Sequence, residues 1–493
     1  MKALYKIKYL VYAFIAIILL HGCESILEEP VQSQFASDNL LSTKKGLESV
    51  LADAYGRNGE IGRTRNIVKR EEMTTDILWQ TGGGENGTAA PLIGFRWDPS
   101  NSMEAIDWME YWRMIRDANI VMESVENVSD FSSDQDKSQI YAEARFLRVW
   151  SYYQLWNQFG PLPIRTSQSD PLEIARATQE EFYTFVETEL LAVIPDLPDP
   201  GNEPAYGRVH SAGAQALLCK WYLNTLQWQK CANVAQDIIS SNEFELFTNY
   251  YDLFALENEH NSEFILVKTK LANQNDKNNL FATTAPWGYK EGLDGGLEGI
   301  VNEKWANYAS QYRLYDEFYY SFDENDDRRK RILTKYINSS GNIVNLLTDY
   351  TDATRAMKYP PDPDASGDAH GNDFPMIRYA DILLSKAEAL NQLNGPNSES
   401  IDLINEIRNR AGLEDIQLAD FGTKEALIEQ ILKERRWEFW YEGKRRRDLI
   451  RNGKFIEYAR NRGISNATEN HIWFPLPQSA TDANPLLEQN PGY

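Results

Sequence analysis

The chain has 493 residues, 42% of them hydrophobic, and a formal net charge of −23 at pH 7. Such a length supports a large core, while so strong a polyanion is repelled by nucleic acid and anionic lipid, which excludes both as general partners. Three cysteines make no disulfide framework at this size, and 13 Trp with 26 Tyr exceed what a core absorbs, so some rings are expected on a surface.

Lys2, Lys6 and Lys8 precede an apolar run of 12 residues from Tyr9 to Leu20. That run is too short to span a bilayer comfortably and suits the core of a signal peptide. Leu20-His21-Gly22-Cys23 then resembles a bacterial lipobox, although His21 departs from the usual pattern. On that reading residues 1–22 are the signal peptide, Cys23 is acylated, and 23–38 form the lipidated N-terminus and tether. Several acyl chains on one cysteine anchor firmly, so the membrane is touched only through lipid. The alternative is an ordinary secretory peptide cut elsewhere. Glu24 to Pro30 is acidic. It resembles the surface-export signal of Bacteroidetes lipoproteins and equally suits a solvated tether.

The remainder reads mostly as helix. Residues 39–57, 108–128, 135–158 and 178–194 carry apolar positions at three-and-four spacing. Pro195, Pro198, Pro200 and Pro204 mark a loop. Residues 208–241 and 378–411 then resemble each other: each spans 34 residues, the tetratricopeptide period, and reads as helix, short turn, helix. Small residues such as Ala216 and Ala387 let paired helices approach. One such pair cannot bury its apolar face alone, so the pairs should stack. The expected fold is therefore mainly α: a tetratricopeptide-like helical-pair scaffold with long inserted loops and a few short strands. Cys219 and Cys231 fall in its apolar stretches as small core residues.

Two irregular blocks interrupt the scaffold, near 74–102 and 244–375. The second is rich in Gly, Asn, Asp and aromatics, with strand-like runs at 263–268 and 332–337. Long irregular insertions in a repeat scaffold tend to carry function. Within the first, Gly82 to Gly87 matches the dinucleotide glycine spacing, but no helix is expected after it, so it reads as a flexible loop. Within the second, Asp362, Asp364 and Asp373 have the spacing of a calcium loop, but Pro360, Pro361 and Pro363 bar an entering helix. A solvated acidic loop is the simpler reading, and no cofactor is expected.

Four C-terminal segments carry a specific resemblance. Ile377 to Leu384 reads Ile-Arg-Tyr-Ala-Asp-Ile-Leu-Leu and runs into Ala387-Glu388-Ala389. Ile404 to Leu413 reads Ile-Asn-Glu-Ile-Arg-Asn-Arg-Ala-Gly-Leu. Glu434-Arg435-Arg436-Trp437-Glu438-Phe439 is followed by Glu442-Gly443-Lys444-Arg445 and Asp448-Leu449-Ile450-Arg451. The tail holds Phe474-Pro475-Leu476-Pro477 and ends Asn490-Pro491-Gly492-Tyr493. In this order, with the leader and the acidic stretch running into Arg329, they resemble the SusD/RagB family of outer-membrane nutrient-binding lipoproteins. The resemblance covers residues 39–493 as one SusD-like domain, with 376–493 as its C-terminal family region. Acids and bases three or four apart in residues 434–451 favour intrahelical pairs, and Arg435, Arg436 and Glu442 are expected to fix packing. The basic run 444–447 sits beside Glu442 and Asp448, which argues against nucleic acid.

The resemblance implies a protein on the cell exterior that binds oligosaccharides or peptides without chemistry. It also implies a SusC-like TonB-dependent outer-membrane transporter as partner. Sugar recognition needs flat rings for the apolar face of the pyranose and polar groups for its hydroxyls. The irregular blocks hold both and coincide with the regions from which family members draw binding aromatics. Asp76, Trp79, Arg96 and Trp97 are the candidates in the first block, and Trp287 and Tyr289 in the second. Trp287, between Pro286 and Gly288, is the foremost. Two other classes stand against this reading. One is a surface glycoside hydrolase with a carboxylate pair about 5–10 Å apart. The other is a tetratricopeptide scaffold for proteins with no small ligand.

Overall fold

The structure is a computed structural model that describes residues 40–493, apart from 62–63, 81, 85, 101, 274–275 and 307–311. The signal peptide, Cys23 and the tether lie outside the described residues.

Among the described residues, eight helices form the N-terminal part: α1 (Lys44–Ile61), α2 (Thr64–Glu72), α3 (Asn86–Gly94), α4 (Ser102–Ser124), α5 (Asp134–Phe159), α6 (Gln179–Val193), α7 (Ser211–Asn224) and α8 (Trp228–Ser241). After a long stretch with only short helices, such as Leu280–Thr284 and Asp316–Tyr320, come α9 (Tyr379–Asn394), α10 (Ser398–Arg410), α11 (Lys424–Phe439), α12 (Arg445–Arg451) and α13 (Phe455–Asn461). Local chemistry sets their ends. Thr178 and Glu181 form a reciprocal capping box on α6, and Ser133, Asn397 and Thr423 cap α5, α10 and α11 through their side chains. The turn after α8 takes Asn242 into the left-handed region at φ 55°.

Both predicted 34-residue pairs exist, as α7–α8 and α9–α10, and they stack because α8 packs on α9. Neighbours continue in chain order from α4 through α5, α6 and α7, so the scaffold is a run of successively packed helices. Cys219 and Cys231 face each other inside it, with sulfurs 3.8 Å apart. One hydrophobic cluster runs from Leu47 to Leu487.

The C-terminal helices differ from expectation in one respect. Their charges pair across elements more than within them. Glu434 accepts from Arg328 at 2.6 Å, and Glu438 from Arg410 at 2.6 Å and Arg378 at 3.0 Å. Glu442 holds both Arg378 and Lys358. Arg435 reaches Asp381 and Asp448, each at 2.9 Å. These groups are buried. Exposed helix faces reward spacing of three or four, whereas a buried charge must take whichever partner the packing brings. The run Arg445 to Arg447 is also buried, so it forms no basic surface patch.

Among the described residues, the irregular blocks contribute nine short strands. β1 (Leu78–Gln80) comes from the first, and β2 (Phe264–Lys268), β3 (Tyr289–Gly292), β4 (Tyr312–Leu314), β5 (Ile332–Leu333), β6 (Lys335–Asn338), β7 (Ile343–Asn345), β8 (Arg355–Ala356) and β9 (Phe374–Arg378) from the second. β3, β6 and β7 form an antiparallel sheet over a separate small core that includes Phe281, Leu297, Leu333 and Met357. A helix does follow the glycine-rich segment, since α3 begins at Asn86. The strand before it, β1, is three residues long and pairs antiparallel with β4, so no parallel dinucleotide unit surrounds the glycines.

Candidate functional site

The two irregular blocks meet in the β1–β4 ladder, where Trp79 lies opposite Arg313 and Gln80 opposite Tyr312. More than two hundred residues separate the partners in sequence. The ladder aligns a ring with a cation: the Arg313 guanidinium lies 5.5 Å from the Trp79 ring centroid. Tyr315 stacks on Trp79 from another direction, at 6.4 Å and 22°.

The loop before β8 fixes that ring. Asp316 and Asp352 exchange backbone-to-carboxylate bonds of 2.7 and 2.9 Å. Asp352 takes a left-handed φ of 49°, which Asp tolerates better than most residues. Its carbonyl then accepts from Trp79 Nε1 at 2.8 Å. The indole edge is satisfied, and the ring is held half-buried. Tyr350, two residues earlier, is 54% exposed.

Arg313 is unusual among the arginines here. No carboxylate among the described residues pairs with it, and its buried Nε has no hydrogen-bond partner. Partial burial lowers its pKa, while the phenols of Tyr350 and Tyr336 favour the charged form. Arg355, buried beneath, is pushed down to about 9 by burial and by the charge of Arg313. A half-buried guanidinium with spare donors beside two aromatic residues is suited to hydrogen-bonding hydroxyls of a ring that stacks nearby.

Trp287 stands elsewhere on the same insert. A short buried helix, Leu280–Thr284, ends at Pro286, and Tyr289 N closes a tight turn onto Pro286 O at 3.0 Å. Trp287 occupies the corner of that turn and is 70% exposed. Gly288 allows the turn through its φ of 71°, and its carbonyl accepts from Ser339 N at 2.8 Å. Tyr336 links the two places. Its ring lies 6.0 Å from Tyr289, and its phenol feels Tyr350, Arg355 and Arg313.

The six predicted ligand residues therefore separate. Trp79 and Trp287 present rings at the surface of the insert region. Arg96 is exposed on the segment after α3. Asp76 is buried, with its carboxylate bound by Arg445 at 2.8 and 3.0 Å and by Arg436 at 3.0 Å, so it is built into the scaffold. These guanidinium charges hold its carboxyl well below the usual range against the opposing effect of burial. Trp97 is buried among Phe95, His471 and Phe474, and its Nε1 donates to Tyr493 Oη at 2.8 Å. Tyr289 is buried too, and donates to Ile300 O at 3.2 Å. Asp76, Trp97 and Tyr289 thus position the surface and do not face it. Arg313 and Tyr350 complete the exposed set. Neither stood out in sequence, because β4 is only three residues and its partner is remote.

The acidic loop closes on itself. Asp362 accepts from Asp364 N at 2.8 Å and Gly371 N at 3.1 Å, and Asp373 accepts from Lys270 N at 2.7 Å. Among the described residues, no group of three or more His, Cys, Asp or Glu is placed to hold a metal ion. A cavity of about 580 Å³ lies at α1, α5 and β2; of its cations Arg57, Lys268 and Lys270, the first and last are paired with Asp53 and Asp276.

Comparison with known proteins places the chain in a class. Residues 262–493 match the SusD family, and residues 27–223 match the family described as starch-binding and associating with the outer membrane. The chain belongs to the SusD family. A SusD-like protein of Formosa agariphila is 26% identical over the full length of both chains. The starch-binding protein SusD of Bacteroides thetaiotaomicron is 27% identical, covering 88% of this chain and 86% of its own. A laminarin-binding SusD-like protein of known structure superposes with a TM-score of 0.78 at 24% identity, over 92% of this chain and 100% of the other. Surface glycan-binding protein A from Bacteroides thetaiotaomicron, solved with laminarihexaose, gives 0.73 at 20% identity, over 91% and 99%. The shared fold is the tetratricopeptide-like helical scaffold with its inserts. Among the described residues, no helix is long and apolar enough to cross a membrane.

Proposed function

We propose that this protein captures oligosaccharides at the cell surface through the Trp79–Arg313–Tyr350 surface, with Trp287 as an outlying stacking ring. It passes them intact to a SusC-like TonB-dependent transporter in the outer membrane. The protein is held there by acyl chains on Cys23, faces the exterior, and cleaves nothing. The observation that carries this reading is the unpaired, half-buried Arg313 aligned with Trp79 across β1–β4. Such a site offers donors and ring faces.

Starch and laminarin, named for the relatives, are both neutral glucans. A strongly acidic chain repels anionic polymers, so a neutral glycan fits its charge. The test incubates the purified protein with a panel of α- and β-glucan oligomers, other glycans and peptides. Retention on native affinity gels without products in the supernatant supports capture. Release of shorter sugars would establish a hydrolase instead. Co-purification of a barrel protein with no glycan or peptide retained would leave a scaffold.

A further inference from the structure

Four arginines of the C-terminal motif lie within seven residues, and one of them lacks the company the others keep. Arg445 is bound by Asp76, and Arg451 by Glu388 and Asp448. Arg446 donates to Ile472 O at 2.7 Å and has Glu71 at 3.9 Å. Arg447 is only 7% exposed, yet no carboxylate among the described residues pairs with it. Its guanidinium sits 4.3 Å from the Trp156 ring and 4.8 Å from Trp473. Nε donates to Asn157 Oδ1, and the buried Nη2 has no hydrogen-bond partner.

A cavity of about 60 Å³ opens beside this group, between α5, α7 and α12. It is large enough for a water or an ion, since about 10–15 Å³ of such volume suffices for one. Four cationic side chains border it, those of Arg70, Lys220, Lys444 and Arg447, against three anionic ones. Two of the acids are engaged elsewhere, Glu442 by Arg378 and Lys358, and Asp448 by Arg435 and Arg451; Glu71 meets Arg70 through Oε1, and its buried Oε2 has no hydrogen-bond partner. Tyr153 also lines the cavity. Its oxygen accepts from Asn224 Nδ2 at 3.0 Å, which leaves the phenolic proton to donate.

A buried cation without a counter-charge is costly. Arginine does not relieve that cost by losing its proton in proteins. Burial and Arg446 push its pKa down to about 9, against the opposing effect of Tyr153 and Glu71. The remaining relief is a bound anion. We propose that the cavity beside Arg447 is a structural site for a chloride-sized monovalent anion, held by Arg447 Nη2 and the Tyr153 hydroxyl. The ion joins the N-terminal helices α5 and α7 to the C-terminal α12. It is independent of the glycan surface.

The full chain is purified and crystallised in sodium bromide, and anomalous diffraction is recorded at the bromine edge. A bromide peak within hydrogen-bonding distance of Arg447 Nη2 is expected. A cavity that is empty or holds only water overturns the proposal. In solution, the melting temperature in sodium gluconate should rise saturably as chloride replaces gluconate at constant ionic strength. Identical melting in the two salts would likewise overturn it. Tyr153→Phe removes one donor and should raise the chloride needed for half the effect about tenfold. Arg447→Met should abolish the chloride dependence, and the wild-type bromide map decides the matter even where that variant does not fold.

Discussion

Arg378 and Arg313 both lie against aromatic rings, but in opposite company. Arg378 rests on Phe439 at 5.0 Å, fully buried, and its donors are divided among Glu263, Glu438 and Glu442. Arg313 rests on Trp79 at 5.5 Å, half-buried, with no carboxylate among the described residues and an idle Nε. Around Arg378 in the C-terminal region the charges are consumed by architecture. In the insert, donors are left over. A guanidinium whose hydrogen bonds are complete holds a fold together, and one whose bonds are incomplete at a surface is available to a ligand. Exposure of the neighbouring rings follows the same division, since Trp440 is sealed in the core while Trp287 stands in water.

The contrast can be broken first on the architectural side. Arg378→Met takes one cationic partner from each of the buried Glu263, Glu438 and Glu442. It should cost about 3–5 kcal/mol of stability, read as a lower urea midpoint. A midpoint within error of the parent would mean the network contributes little. On the other side, Arg313→Ala should leave that midpoint unchanged while weakening a bound oligosaccharide roughly ten- to a hundredfold by calorimetry. Equal affinities for parent and variant would remove Arg313 from the site.

Trp287→Ala should reduce affinity about tenfold or less, again without unfolding, because it removes one stacking face at the rim. Unchanged affinity for a glycan that does bind would leave Trp287 outside the site.

The smallest effect concerns pH. Glu72 receives three backbone N–H groups, from Tyr441, Glu442 and Gly443, but burial still pushes its carboxyl up to about 7. Asp373 is also raised to about 7, by burial and by Glu259. Such groups bind a proton more tightly in the fold than in the unfolded chain. Their contribution is present at low pH and is lost as pH rises through about 7. The melting temperature should therefore increase on going from pH 8 to pH 5, by an amount on the order of 1 kcal/mol per group in stability. Below that range the trend reverses, because Glu438, lowered to about 2 chiefly by Arg410 and Arg378 against burial, begins to lose its charge. Glu72→Gln should flatten the upper slope. A parent protein that melts higher at pH 8 than at pH 5 would contradict the assignment.

Much of this molecule was legible as a string of residues. Apolar spacing at three and four located the helices, and the 34-residue similarity found the stacked pairs α7–α8 and α9–α10, because a helix writes its buried face into its own sequence. The ordered C-terminal motifs gave the family. The short strand β4 was not legible, nor was the helix after the glycine-rich segment. Asp76 and Trp97 show why composition misleads within a loop: both lie in the polar, aromatic block that looked ligand-facing, and both are buried. Their partners, Arg445 and Tyr493, are hundreds of residues away. Whether an aromatic or a charge meets water depends on what long-range packing brings against it, and only the tertiary structure decides that. The sequence determined which residues have the chemistry to hold a sugar. The fold determined that Trp79 is joined by Arg313 and Tyr350, since strand pairing between remote segments leaves no periodic mark on either one.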